Sequence, residues 1–166
     1  MDEQTAAQQG QEPAGQPQST GQPGQEPAGQ PESAGQPMRG RVALVAGASK
    51  GIGAATAEAF AAAGAAVVLG ARDTAALEAV ATRIRSRGGQ ALAARLDVTD
   101  ADSVRGLVDQ ALSTFGRLDA AFNNAAAGPR PAPLADIDPG EFDVGIATHI
   151  RGTFLCLLYT SPSPRD

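Results

Sequence analysis

A chain of 166 residues with 4% aromatic residues, no tryptophan and a mean hydropathy of −0.16 has room for one modest domain. Its net charge of −5 gathers at one end: Asp2, Glu3, Glu12, Glu26 and Glu32 precede the first basic residue, Arg39, and from there 13 basic side chains face 13 acidic ones. That balance excludes a basic footprint for nucleic acid and a cationic face for a membrane; the single cysteine, Cys156, excludes an internal disulfide or a zinc cluster, and no run suits a membrane span or signal peptide, so the cytoplasm is the expected compartment.

Residues 1–37 hold no Val, Ile, Leu or aromatic side chain, and their Gln, Gly, Pro, Ala and Glu cannot bury enough apolar surface to offset ordering entropy. QEPAGQPQSTGQPG at 11–24 returns as QEPAGQPESAGQPM at 25–38. A repeat of turn formers without a hydrophobic position is low complexity, not a stacking unit, so this stretch is expected to be a disordered tail. Met38, directly before the first apolar run, reads as a natural start.

Val42, Leu44 and Val45 read as a strand covered on both faces. Gly47, Gly51 and Gly53 then punctuate a turn into a helix, where a Cβ would hold the backbone away from a pyrophosphate and the helix N-terminus offers amides to an anion. The pattern is not a nucleotide-triphosphatase phosphate loop, because Lys50 precedes Gly51 and no Ser or Thr follows at the required place. Helical spacing over Ile52–Ala63 predicts a buried face of Ile52, Ala55, Ala59 and Phe60, ending at Gly64. Ala65–Leu69 is the second strand. Thr74–Arg87 is a helix with Leu77, Val80, Ala81 and Ile84 inward, closed by Gly88 and Gly89. Ala91–Leu96 is the third strand, and Asp100 or Asp102 caps a helix with the stripe Val104, Leu107, Val108, Ala111, Leu112 and Phe115. Leu118–Phe122 is the fourth strand. A proline-bearing loop, 128–139, leads to a last helix with Phe142, Ile146, His149, Ile150 and Phe154 on its apolar face. Alternating strands and helices with short connections give parallel βαβ units, with ligands at the carboxyl ends of the strands.

AGASKGIG at 46–53, LDVTD at 96–100, NNAA at 123–126 and HIRGTF at 149–154 stand in order, and with them the chain resembles the short-chain dehydrogenase/reductase family over Arg39–Leu155. The resemblance implies a nicotinamide dinucleotide, with Ser49, Lys50 and Ile52 beside the phosphates, Asp97 and Val98 flanking the adenine, and Asn124 and Ala125 approaching the ribose and nicotinamide. A carboxylate ending the second strand would accept a ribose 2′-OH and repel a 2′-phosphate. Ala71 stands there, followed by Arg72, and with Lys50 in the glycine turn two cations can reach one phosphate; NADP is therefore expected over NAD.

Three positions depart from the family pattern. Ala46 replaces the usual Thr and Ala126 the usual Gly. His149 stands where the family has an Asn supporting a water relay; an imidazole can move protons there, or serve as a hydrogen-bonded structural residue on the apolar stripe. The family's catalytic Ser and Tyr-x-x-x-Lys are missing: Tyr159 is the only tyrosine, Lys50 the only lysine, and Ser163 lies four residues beyond Tyr159. The last eleven residues, CLLYTSPSPRD, resemble a translated sequencing adapter, which makes 156–166 a non-native tail by expectation, and Pro162 and Pro164 end any helix.

The fold class expected is α/β, a doubly wound parallel sheet of Rossmann type with strand order 3-2-1-4, stopping after the fourth strand and its following helix. Residues 38–155 form the dinucleotide-binding part. The function expected is the N-terminal fragment of an NAD(P)-dependent oxidoreductase moving hydride between nicotinamide and an alcohol or carbonyl, without a metal, homo-oligomeric at full length and inactive as this chain. Alternatives are a non-catalytic dinucleotide sensor and an interaction protein acting through the Gln/Pro/Gly tail. An open fourth strand is expected to invite aggregation.

Overall fold

A computed structural model describes residues 35–161, so residues 1–34 of the expected disordered tail, and the end of the expected non-native tail, lie outside the described residues. Of the remaining tail residues, Gln36 accepts from the Arg39 amide in a turn; Met38, the first residue of the expected domain, donates its amide to the Ala63 carbonyl at 2.8 Å.

Four strands alternate with helices: β1 Val42–Ala46, α1 Gly51–Ala62, β2 Ala66–Ala71, α2 Thr74–Ser86, β3 Gln90–Arg95, α3 Ala101–Phe115 and β4 Ala120–Asn123. A short 3₁₀ turn at Leu134–Asp136 precedes α4 Pro139–Ile146, a π-helical turn Ala147–Gly152 and α5 Thr153–Thr160. The sheet runs β3-β2-β1-β4 with every pair parallel, so the expected order and fold class hold.

Alternation along β1 divides the core, as the two-residue period of a strand requires. Ala43 and Val45 join Val67 and Leu69 against α1 and α2, through Ala54, Ala57, Leu77, Val80, Ala81 and Ile84. Val42, Leu44 and Ala46 join Val68 against α3 and α5, through Val104, Leu107, Val108, Ala111, Leu155 and Cys156. The α2 stripe is as expected. In α3 the stripe is interrupted: Leu112 is exposed, while Phe115 beyond it packs on the core from a partly buried position.

Two helix faces differ from the expectation. In α1, Ile52, Ala55 and Ala59 are exposed, with Ile52 at 71%, and Gly53, Ala54 and Ala57 are buried instead. A Cβ on Gly53 would stand 2.1 Å from the Gly47 carbonyl oxygen, so the helix can approach β1 only by this smallest face. In the last helical stretch, Phe142, Ile146, His149, Ile150 and Phe154 are exposed, while Thr148, Gly152, Leu155 and Cys156 are buried. Here the π turn breaks the regular period, and a Cβ on Gly152 would meet the Val98 side chain at 2.9 Å, so glycine alone fits the inward position.

Side-chain caps fix the other helix starts. Asp73 accepts from the Ala76 amide, Asp100 from Asp102, and Asp138 from Gly140 and Glu141 ahead of Pro139. Of the two candidates for α3, Asp100 is thus the cap; losing such a cap costs about 0.5–2 kcal/mol. Beneath β4, Asp119 accepts from the Val42 amide at 2.8 Å and from Arg41 and Arg117, tying β4 to β1 at the end away from the cleft described below. The Arg117 guanidinium above all, then the Val42 amide, holds this carboxyl far below the usual carboxylate range.

Candidate functional site

At the carboxyl ends of the strands, chain from β1 turns to one side of the sheet and chain from β4 to the other, and a cleft of about 420 Å³ opens there. This switch point is where an open α/β sheet binds its ligands, and the volume lies in the range of small-molecule sites.

The glycine turn forms one wall. Gly47 has φ +81°, and a Cβ on it would stand 2.8 Å from the Ala125 amide nitrogen. The amides of Gly47 and Ala48 both donate to the Gly70 carbonyl, at 2.7 and 3.2 Å, which pins the turn over β2. Unlike α2, α3 and α4, helix α1 has no side-chain cap: Lys50 stands at its N-cap in extended conformation without a capping bond. The amides opening α1 are therefore left for an anion.

Ala71, Arg72, Asp73 and Ala76 supply the second wall from the end of β2 and the start of α2, with Arg72 and Lys50 both exposed on the cleft. The third comes from Leu96 to Thr99. Asp97 accepts from the Thr99 hydroxyl at 2.7 Å and the Thr99 amide at 3.0 Å, and these bonds, helped by Arg72 and Arg95 and opposed by partial burial, pull its carboxyl below the usual range. It is an acceptor only at neutral pH. Asn124, Ala125, Ala126 and Thr148 close the cleft; the Asn124 amide donates to the Ala46 carbonyl at 3.0 Å and its side chain reaches the Gly47 carbonyl at 3.4 Å, so β4 is locked to the glycine turn.

Of the residues predicted from sequence, Gly47, Ser49, Lys50, Arg72, Asp97, Val98, Asn124 and Ala125 line this cleft together. Gly51 and Gly53 build the turn from behind, and Ile52 projects into the open at the helix start. His149 lies elsewhere: it is exposed and lines an apolar groove with Phe142, Ile146 and Ile150, which shares only Ala126 with the cleft, and it makes no hydrogen bond among the described residues. The hydrogen-bonded structural role is thus corrected, because the helix face that carries His149 turns outward. Sequence reading missed Asp73, Ala76, Leu96, Thr99, Ala126 and Thr148; Leu96, Thr99 and Ala126 fall inside quoted motifs and were within reach, whereas Thr148 carries no signal of its own.

A nicotinamide dinucleotide fits these residues: a close-packed glycine turn, uncapped helix amides, two cations and an anionic acceptor converge on one cleft. Among the described residues no group of acidic, His and Cys side chains is arranged to hold a metal ion, and no helix is long and apolar enough to cross a membrane.

Comparison with known proteins agrees with this geometry. Residues 41–163 match the family described as short chain dehydrogenase. The cis-4-hydroxycyclohexanecarboxylate dehydrogenase of Sinomonas cyclohexanicum is 45% identical over 117 residues, covering 70% of this chain and 46% of that protein. A metagenomic short-chain oxidoreductase solved with NADP superposes with a TM-score of 0.70 at 38% identity, covering 75% of this chain and 56% of that one. A 3-ketoacyl-(acyl-carrier-protein) reductase from Brucella melitensis solved with NADH gives 0.68 at 38% identity, covering 73% and 48%. The chain spans about half the length of the curated relatives it matches. Matched over most of its length in sequence and sharing the fold of these enzymes, the chain belongs to the short-chain dehydrogenase/reductase family.

Proposed function

We propose that this chain is the dinucleotide-binding part of an NADP-dependent cytoplasmic oxidoreductase that moves hydride between nicotinamide and a small alcohol or carbonyl, and that the longer protein is a homo-oligomer. The observation that carries the NADP preference is Ala71 at the last position of β2, with Arg72 and Lys50 facing the same cleft. No carboxylate ends the strand, so no anion stands against a 2′-phosphate at that point. Asp73 lies two residues on, but it is engaged by the Ala76 amide as the α2 cap. Neighbours solved with NADP and with NADH support reading the choice of dinucleotide from these side chains.

When bound, the nicotinamide is the group that gives or takes the hydride. The residues of this chain bind and orient. The α1 amides with Ser49 and Lys50 hold the pyrophosphate, Arg72 and Lys50 the 2′-phosphate, Asp97 and Val98 the adenine, and Asn124 with Ala125 the ribose and nicotinamide side. His149, beside Ala126 but in the neighbouring groove, is assigned a proton-relay role only through its position in the family motif. No Tyr-x-x-x-Lys pair exists in the sequence, so NADPH oxidation with a panel of aldehydes and ketones should stay at the uncatalysed background; turnover above it would refute this part. A purely sensory role has no observation in its favour.

Calorimetric titration with NADP and NAD tests the cofactor assignment. Arg72→Ala should weaken NADP by about 1.5 kcal/mol, the low end for a charge-assisted bond because Arg72 is open to water, and leave NAD nearly unchanged. Equal losses for the two dinucleotides would show that Arg72 does not reach the 2′-phosphate.

A further inference from the structure

The dinucleotide cleft lies at the carboxyl ends of the strands; at their amino ends opens another cavity, of about 640 Å³. Val42, Ala66 and Gln90, the first residues of β1, β2 and β3 and neighbours in register, line it, and it shares no lining residue with the cleft. Strands of five and six residues set the two openings on the order of 15–20 Å apart.

Four arginines stand around this cavity: Arg39 and Arg41 from the turn before β1, Arg87 from the end of α2 and Arg117 from beyond α3. No carboxylate lines it among the described residues. The acids behind it are oversubscribed, since Arg41 and Arg117 share Asp119, at 3.1 and 2.5 Å, and Arg87 shares Glu58 with Arg83, at 2.8 and 2.9 Å. Arg39 enters no ion pair among the described residues. The carboxyl ends of α1, α2 and α3 also open here, and each offsets about half a positive charge at most. With Arg83 counted, five guanidiniums against two carboxylates still leave positive charge and unused N–H donors at the cavity. The chain from Arg39 on is balanced in charge, so the surplus is local.

A glycine puts Arg39 in place. A Cβ on Gly64, which has φ +96°, would stand 2.9 Å from the Gln36 side chain and 3.2 Å from the Arg39 backbone, so the turn carrying Arg39 settles on the end of α1 only over this residue. The Met38 amide, bonded to the Ala63 carbonyl, holds the turn there.

We propose that this cavity is a second anion site, taking a small molecule that carries two or more phosphate or carboxylate groups. A guanidinium fork donates two parallel N–H bonds to such a group. Forks arriving from three chain positions around a cavity of small-molecule size suit several anionic groups on one ligand. The proposal does not depend on what the cleft binds.

Calorimetric titration with tripolyphosphate and with citrate, at fixed ionic strength, tests it. Wild type is expected to bind at least one of them with a Kd below about 1 mM. Arg39→Gln should weaken that binding about three- to tenfold, and Arg39→Gln combined with Arg87→Gln more than about tenfold. Arg72→Ala, which removes a cation of the dinucleotide cleft, should stay within about twofold of wild type. A preference for tripolyphosphate would name phosphates as the groups taken, and a preference for citrate would name carboxylates. Binding of neither probe by wild type, wild-type affinity in the double variant, or an equal loss in Arg72→Ala would each overturn the proposal. Should the double variant fail to fold, Arg39→Gln decides alone, because it breaks no ion pair among the described residues.

Discussion

The two flanks of β1 are finished to different degrees. On the β2 side, β1 is buried at all five positions, Val67, Val68 and Leu69 have no exposed surface, and α2 lays a continuous apolar stripe on the sheet. On the β4 side, the strand is only partly buried, α4 buries none of its residues, and Phe142, Ile150 and Phe154 are 55%, 65% and 60% exposed. The Asn123 side-chain oxygen there is buried without a partner among the described residues. An apolar stripe thus shows that a helix can be buried, and only the surface available to it decides whether it is. Among the described residues β4 is an edge strand, and its unpaired backbone groups are the kind that recruit another chain.

The largest test of this contrast pairs one residue from each flank. Leu69→Ala should lower unfolding stability by about 2–5 kcal/mol, since it opens a cavity in the core. Ile150→Ala should change it by less than about 0.5 kcal/mol. Denaturant melts of the two variants would break the contrast if the losses were alike.

A smaller effect is expected at the Asp119 tie between β1 and β4. Its carboxyl pKa is depressed in the folded protein, so the stabilisation is fully present above the unfolded value of about 3.9 and is lost as pH falls through the folded value. Melting temperature should therefore decline in the acid range below about pH 4 in wild type, and less steeply in Asp119→Asn. Superimposable acid limbs for the two proteins would remove Asp119 from the account. The smallest effect belongs to His149→Ala: because the imidazole lies outside the cleft, NADP affinity should stay within about twofold of wild type as read by calorimetry, and a tenfold loss would mean that groove and cleft act as one site.

What was legible in the sequence follows the same division. The strands, the α2 stripe and the choice of Asp100 or Asp102 as a cap rest on local signals, namely a short apolar run, a period and an acid before a helix, whereas the strand order followed from the doubly wound fold type. The α1 face was misread because Ala at most positions gives no amphipathic contrast, and the deciding contact, Gly53 on Gly47, is tertiary. The last helix was misread because a π turn is invisible to a 3.6-residue period. In the site, motif residues were found and Thr148 was not, since a cleft gathers neighbours in space from several strand ends.

The π turn has a mechanical meaning as well. Such a turn is an α-helix carrying one surplus residue, so it is a place where the chain can shed a residue and keep its hydrogen-bond ladder. With α5 anchored by Leu155 and Cys156, a one-residue deletion within 147–152 would tighten the turn to regular α-helix and leave Phe142 and Ile146 on the face they already occupy. The segment therefore behaves as a buffer for chain length, taking up or releasing one residue without turning the helices on either side.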